Sequence, residues 1–238
     1  MRQQRLAIFD LDNTLLTGDS EVLWVQYLLR HGELDESFAA LNAEMDRQYH
    51  AGTATAAGFC AFYASTFAGR TPAQWAPVRD RFFDTVLAPR LGAAAVALVE
   101  QHRAAGDLLV LSTAASRFLS EPCARALGFR HVIATEMRQH EDGRFAGENT
   151  GTLNMREGKL SRQLAWLAEH DDDTATPMAG AVFYSDSIND LPLMLAVGQP
   201  VAVDPDARLA AEAMARHWPV LKLDRTLTFP SPPPEPHR

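Results

Sequence analysis

Six short apolar runs constrain this chain more than any other feature: residues 5–9, 107–111 (DLLVL), 131–135 (HVIAT), 181–184 (AVFY), 200–203 (PVAV) and 219–223 (PVLKL). They carry no polar alternation, so each is apolar on both faces, as strands of a parallel sheet covered on both sides must be. Helical patterns lie between them. Residues 92–106 end at Gly106, a natural helix stop, and residues 159–170 set Leu160, Leu164 and Leu167 on one face. Residues 189–198 and 207–218 read as two further helices. Strand and helix alternating at this rhythm predict an α/β fold, a doubly wound parallel sheet.

One interval breaks the rhythm. After the first strand, helical patterns at 20–32, 35–52, 53–69 and 72–87 follow one another without a strand. An all-helical cap over 16–87 is therefore expected, inserted into a core made of 1–15 and 88–225 and able to close from joints near 16 and 88. Residues 136–148 (EMRQHEDGRFAGE) read as a hairpin turning at Glu141, Asp142 and Gly143. The Pro-rich tail, 226–238, is expected to be disordered.

Composition narrows the function. Thirty acidic residues against 22 Lys plus Arg argue against a nucleic-acid partner, which calls for a basic patch, but leave room for a small anionic substrate at a locally positive site. Cys60 and Cys123 have no zinc-type spacing and read as buried thiols. No run approaches a membrane span, and the four-residue apolar run at the N-terminus is too short for a signal peptide, so a cytoplasmic protein is expected.

Chemistry has four places to reside. In FDLDNT, Asp10 and Asp12 are two apart on an extended chain, so both carboxylates share the carboxyl edge of the first strand, where open α/β sheets bind ligands. Close carboxylates call for a cation between them or a proton on one, or else they cap the following turn. Ser112 and Thr113, where the second strand is expected to turn into a helix, offer a hydroxyl and backbone N–H groups to a phosphate, with Ser112 or Ser116 as a helix cap the alternative. Lys159 stands at a helix start, where the dipole disfavours a cation, so a compensating anion or a solvated surface position has to account for it. In YSDSINDLPLM, a strand ends in Asp186, with Asn189 and Asp190 a turn later and Pro192 suited to a helix start.

Taken together these residues resemble the haloacid dehalogenase superfamily, in its phosphoserine-phosphatase-like branch: FDLDNT, VLST, GK and YSDSINDLPLM are similar to its four motifs, and the helical insertion falls where that branch carries its cap. The resemblance implies a phosphomonoester hydrolase in which Asp10 attacks phosphorus and becomes an aspartyl-phosphate, while Asp12 protonates the leaving alcohol and then deprotonates water. It implies Mg²⁺ held by Asp10, the Asp12 carbonyl and Asp186, supported by Asn189 and Asp190, with Ser112, Thr113 and Lys159 on the phosphoryl oxygens. Asp19 matches an acidic position that holds a substrate amine; the alternative is a cap for the first inserted helix. The branch's carboxylate-binding Arg has no counterpart in 52–69, where Tyr63 stands near its place. An amino-alcohol phosphate is therefore expected ahead of phosphoserine, with histidinol phosphate the first candidate and Asp19, Glu44 and Asp46 facing its cation. Trp24, Tyr27, Tyr49, Phe59, Phe62 and Tyr63 read as cap core or as a stacking wall. A phosphotransferase or phosphomutase on the same fold, a non-catalytic phosphate-binding module, and a metal-dependent glycosyltransferase are the alternatives.

Overall fold

The computed structural model describes residues 4–170 and 178–227. Seven strands form one sheet in the order β4-β3-β2-β1-β5-β6-β7. The strands are β1 (Leu6–Phe9), β2 (Leu108–Ser116), β3 (His131–Gln139), β4 (Phe145–Thr150), β5 (Val182–Ser185), β6 (Gln199–Val203) and β7 (Val220–Leu221). All pairs are parallel except β3 with β4, so this is the expected doubly wound α/β sheet with one antiparallel edge. β1 lies at the centre between β2 and β5, and its four residues are wholly buried. The order reverses direction there, which opens a crevice at the carboxyl end of β1.

The hairpin forms with its turn at residues 140–144, but its first arm is not separate from the strand expected at 131–135. β3 runs unbroken through both, because residues past Thr135 leave β2 and pair with β4 instead. β2 is also longer than its apolar run, extending through the polar residues to Ser116. The tail expected at 226–238 lies, from residue 228, outside the described residues.

The insertion between β1 and α5 (Ala93–Ala104) holds α1 (Ser20–Arg30), α2 (Ser37–Ala51), α3 (Ala56–Ser65) and α4 (Pro72–Phe82). Local chemistry starts them: Asp19 caps α1, Thr55 caps α3, and Thr71 with Gln74 forms a capping box ahead of Pro72 in α4. Their packing divides the insertion. Trp24, Tyr27 and Leu28 of α1 and Trp75 and Phe82 of α4 belong to the same apolar cluster as Phe9 of β1 and Leu111 of β2. Phe59, Cys60 and Tyr63 of α3 instead form a smaller cluster with Val25 and Met155. The link after α3 is tied to the sheet edge by backbone bonds, Gly69 N–H to the Phe145 carbonyl and Phe145 N–H to the Arg70 carbonyl. α6 (Arg117–Ala126), α7 (Glu157–Glu169), α8 (Leu191–Ala196) and α9 (Ala207–Arg216) complete the covering layers. Among the described residues no single helix is long and apolar enough to cross a membrane.

Candidate active site

β1 delivers Asp10 to the crevice, and the Asp10 N–H is fixed by the Tyr184 carbonyl of β5 at 3.0 Å. The chain then turns sharply, with Asn13 at φ 56°, a conformation Asn tolerates better than most residues. The turn brings Thr14 back beneath the carboxylates. Its Oγ1 lies 3.1 Å from Asp10 Oδ2 and 3.0 Å from Asp186 Oδ1, and accepts the Asp186 N–H at 3.0 Å.

Lys159 reaches the same point from the first turn of α7. Its Nζ donates to Asp10 Oδ1 at 2.9 Å and to Asp190 Oδ2 at 2.6 Å, and only 2% of the side chain is exposed. The cost of a cation at a helix start and of burying it is offset by two carboxylates, which hold its pKa above the ordinary lysine value. Asp190 also accepts from Ser185 Oγ at 2.7 Å, so it anchors Lys159 while itself lining the cavity. Asn189 accepts from the Arg156 Nε at 3.1 Å.

The carboxylates are crowded. Burial raises Asp10 to about 6, with Lys159 working against the rise and Asp190 adding to it. Burial, then the charges of Asp19 and Asp10, push Asp12 well above the ordinary carboxylate range, although its Oδ1 accepts the Ser20 N–H at 2.8 Å. Asp186 is driven up by burial and by Asp10.

Excess negative charge of this kind suits a cation, and the donor set decides which. Among the described residues no three His, Cys, Asp or Glu side chains converge on a point. Two carboxylates, Asp10 and Asp186, set side by side on Thr14 Oγ1, are too few for a cation that needs a full protein cage but fit Mg²⁺, which keeps most of its waters.

Ser112 stands beside Asp10, because Phe9 and Leu111 are paired across β1 and β2. The expected strand-to-helix turn at Ser112 is absent: β2 continues to Ser116, and the residues lining the cavity there are Ala114 and Ala115. Ser112 and Thr113 are both wholly buried and neither is among the residues lining the cavity, Thr113 with its Oγ1 accepting the Ala115 N–H. Asp19 does both things expected of it in the alternative readings, accepting the Glu21 and Val22 N–H groups as the α1 cap and lining the cavity.

Several residues were not legible as site residues. Glu21 is 4% exposed, lines the cavity and accepts the Ser116 N–H at 3.1 Å, with burial and Asp19 raising its pKa. Its sequence position, two past a helix cap, also suits an ordinary first-turn acid. Asn154 and Arg156 precede Lys159 with no pattern to mark them. Glu44 faces outward, paired with Arg47 and Gln48, and Asp46 is not among the cavity residues. Tyr49 and Phe59 do line the cavity, whereas Tyr63 is buried and bonds to Asn42. The cavity itself is nearly filled, with about 20 Å³ free, room for about one water. A groove of about 470 Å³ adjoins it, sharing Asn13, Tyr49, Ser187 and Asn189.

The family model for haloacid dehalogenase-like hydrolases matches residues 7–195. A histidinol-phosphatase of Neisseria meningitidis serogroup C is 36% identical over 219 residues, covering 92% of this chain and 98% of that protein. A Bordetella pertussis protein of unknown function, solved by crystallography, superposes with a TM-score of 0.84 at 38% identity, over 92% of this chain and 98% of its own. A phosphoserine phosphatase solved as its phospho-aspartyl intermediate analogue shares the fold, with a TM-score of 0.68 at 14% identity over 94% and 95% of the two chains. With the matched segment running from β1 through Asp10, Lys159 and Asp186 into α8, the chain belongs to the haloacid dehalogenase-like hydrolase family and is a phosphatase of that family.

Proposed function

We propose that this protein hydrolyses a small amino-alcohol phosphate through an aspartyl-phosphate on Asp10, with histidinol phosphate the first candidate and phosphoserine the second. The observation that carries the chemistry is the buried Asp10 carboxylate, gripped on one oxygen by Lys159 and on the other by Thr14. Both contacts orient it, and Lys159 lessens its repulsion of an anionic ester. Asp12, whose surroundings favour the protonated form, is suited to donate its proton to the leaving oxygen and afterwards to take one from water. Mg²⁺, when bound by Asp10, Asp186 and the Asp12 carbonyl, supplies the charge that these crowded carboxylates lack.

The substrate class follows from the lining. Asp19 faces the cavity beside Asp12 and Glu21, two acids whose raised pKa values a cation in the cavity would bring down, and among the described residues around it Lys159 is the one cation, already engaged by Asp10 and Asp190. A leaving group bearing an ammonium or imidazolium offsets that imbalance, whereas the carboxylate of phosphoserine adds to it. The identity to a histidinol-phosphatase supports the same reading.

The test is phosphate release from histidinol phosphate, phosphoserine, phosphoethanolamine and sugar phosphates with Mg²⁺, beside Asp10→Asn. Preference for histidinol phosphate, abolished in Asp10→Asn, is the expected result. Turnover that survives Asp10→Asn would remove the aspartyl-phosphate, and transfer to an added alcohol in place of water would make the enzyme a phosphotransferase.

A further inference from the structure

Asn154 lies in the link between β4 and α7, wholly buried, at the place where β2 and β3 lose register between Ser112 and Ser116. Its backbone N–H donates to Thr135 Oγ1 at 3.2 Å. Its Nδ2 lies 3.1 Å from Ser112 Oγ, 2.9 Å from the Thr113 carbonyl and 3.0 Å from the Ile133 carbonyl. These carbonyls fix which way the amide faces, because reversing it would set Oδ1 against two other acceptors. Asn154 therefore presents N–H, and not oxygen, to Ser112.

A serine hydroxyl has one proton and two lone pairs. Because the amide turns N–H toward Ser112 Oγ, the Ser112 proton cannot go to Asn154 and is left to donate elsewhere, and Ser112 follows Leu111 as Asp10 follows its register partner Phe9. We propose that Asn154 is a positioning residue that holds Ser112 as an acceptor on its buried side, so that the Ser112 proton is presented to the transferring phosphoryl group. The proposal rests on the aspartyl-phosphate reading above. It goes further by assigning the orientation of one donor to a residue outside the phosphate-binding motifs. A residue that only patched the broken strand pairing would need the two carbonyl contacts and not the one to Ser112.

The measurement is kcat and KM for phosphate release, with a Tm for each protein, in Ser112→Ala, Asn154→Asp, Asn154→Ala and the corresponding double variants. Ser112→Ala is expected to lower kcat on the order of 100-fold, as for loss of one preorganised donor. In Asn154→Asp the new carboxylate accepts the Ser112 proton and draws it from the site, so kcat falls nearly as far while KM changes little. In the Ser112→Ala background the same change costs less than about threefold more, because the group it acts through is gone. Equal kcat losses from the Asn154 change in both backgrounds would overturn the proposal and leave Asn154 a strand patch. Should Asn154→Asp fail to fold, Asn154→Ala, which adds no charge, is read by the same comparison. Full activity in Ser112→Ala beside an inert Asp10→Asn would overturn the role of Ser112 alone, whereas an active Asp10→Asn would overturn the underlying mechanism.

Discussion

Asp10 and Asp12 stand two residues apart and meet different surroundings. Asp10 has Lys159 and Thr14 as partners, whereas Asp12 has the Ser20 N–H and the like charges of Asp19 and Asp10. The donors on Asp10 work against its burial and toward a carboxylate, whereas the like charges beside Asp12 add to burial and favour a proton. Asp12→Asn is therefore expected to lower kcat on an alkyl phosphate by about 10²–10⁴-fold, as for loss of a general acid. An activated aryl ester, whose leaving group needs no proton, should lose far less; equal losses on both esters would end the proton-transfer role. The charge balance also sets a pH dependence. Burial raises folded Asp10 to about 6 against an ordinary 3.8, so between those values the folded protein holds a proton that the unfolded chain has lost. Ionisation of Asp10 then costs stability as pH rises through about 6 in chelator-treated protein. Mg²⁺ at these carboxylates should raise Tm more at pH 8 than at pH 5, where protons compete for the same oxygens. A Tm gain independent of pH, measured by thermal unfolding, would place the cation elsewhere.

Each element end near the site does double duty, and this can be separated experimentally. Asp19 caps α1 and lines the cavity. Asn is as good an N-cap as Asp, so Asp19→Asn should leave stability within about 0.5 kcal/mol while raising KM for an amine-bearing ester about tenfold. Asp19→Ala should in addition cost about 1 kcal/mol in denaturant unfolding. An unchanged KM in Asp19→Asn would make the residue a cap and nothing more. At this scale the sequence read well. Each helix of the insertion lies within a stretch whose pattern reads as helical, with a start signal read at Asp19 for the first, and the central strands were announced by runs apolar on both faces. What it misread was continuity: the polar stretch 112–116 continues β2, and the expected hairpin arm continues β3, because neighbouring strands supply partners that no local pattern records.

The molecule as a whole closes over its site. With room for about one water, the cavity is too small for an ester as it stands, and Tyr49 of α2 and Phe59 of α3 form part of its wall. α4 and much of α1 share the sheet's core cluster, and the Arg70 and Phe145 backbone bonds tie the following link, so movement is expected in α2 and α3 and not at joints near 16 and 88. Arg156 is the brace. It adopts φ 54°, ψ −128°, a backbone region that favours glycine, while its guanidinium holds the Ala54 carbonyl at 2.9 Å and Asn189 at 3.1 Å. Arg156→Gly should relieve the backbone and release the brace, leaving Tm little changed but making residues 50–56 more sensitive to protease and raising KM. Unchanged proteolysis would show that other contacts hold the α2–α3 link. The sequence by itself determined the sheet, the helical insertion and the residues most exposed to chemistry, because periodicity and carboxylates at strand ends are local facts. Tertiary structure decided that Lys159 is shared between Asp10 and Asp190, that Glu21 joins the cavity wall and Glu44 does not, and that Asn154 faces Ser112. Those are facts of pairing across 31 to 149 residues of chain, set by strand order and packing, and no short pattern encodes them.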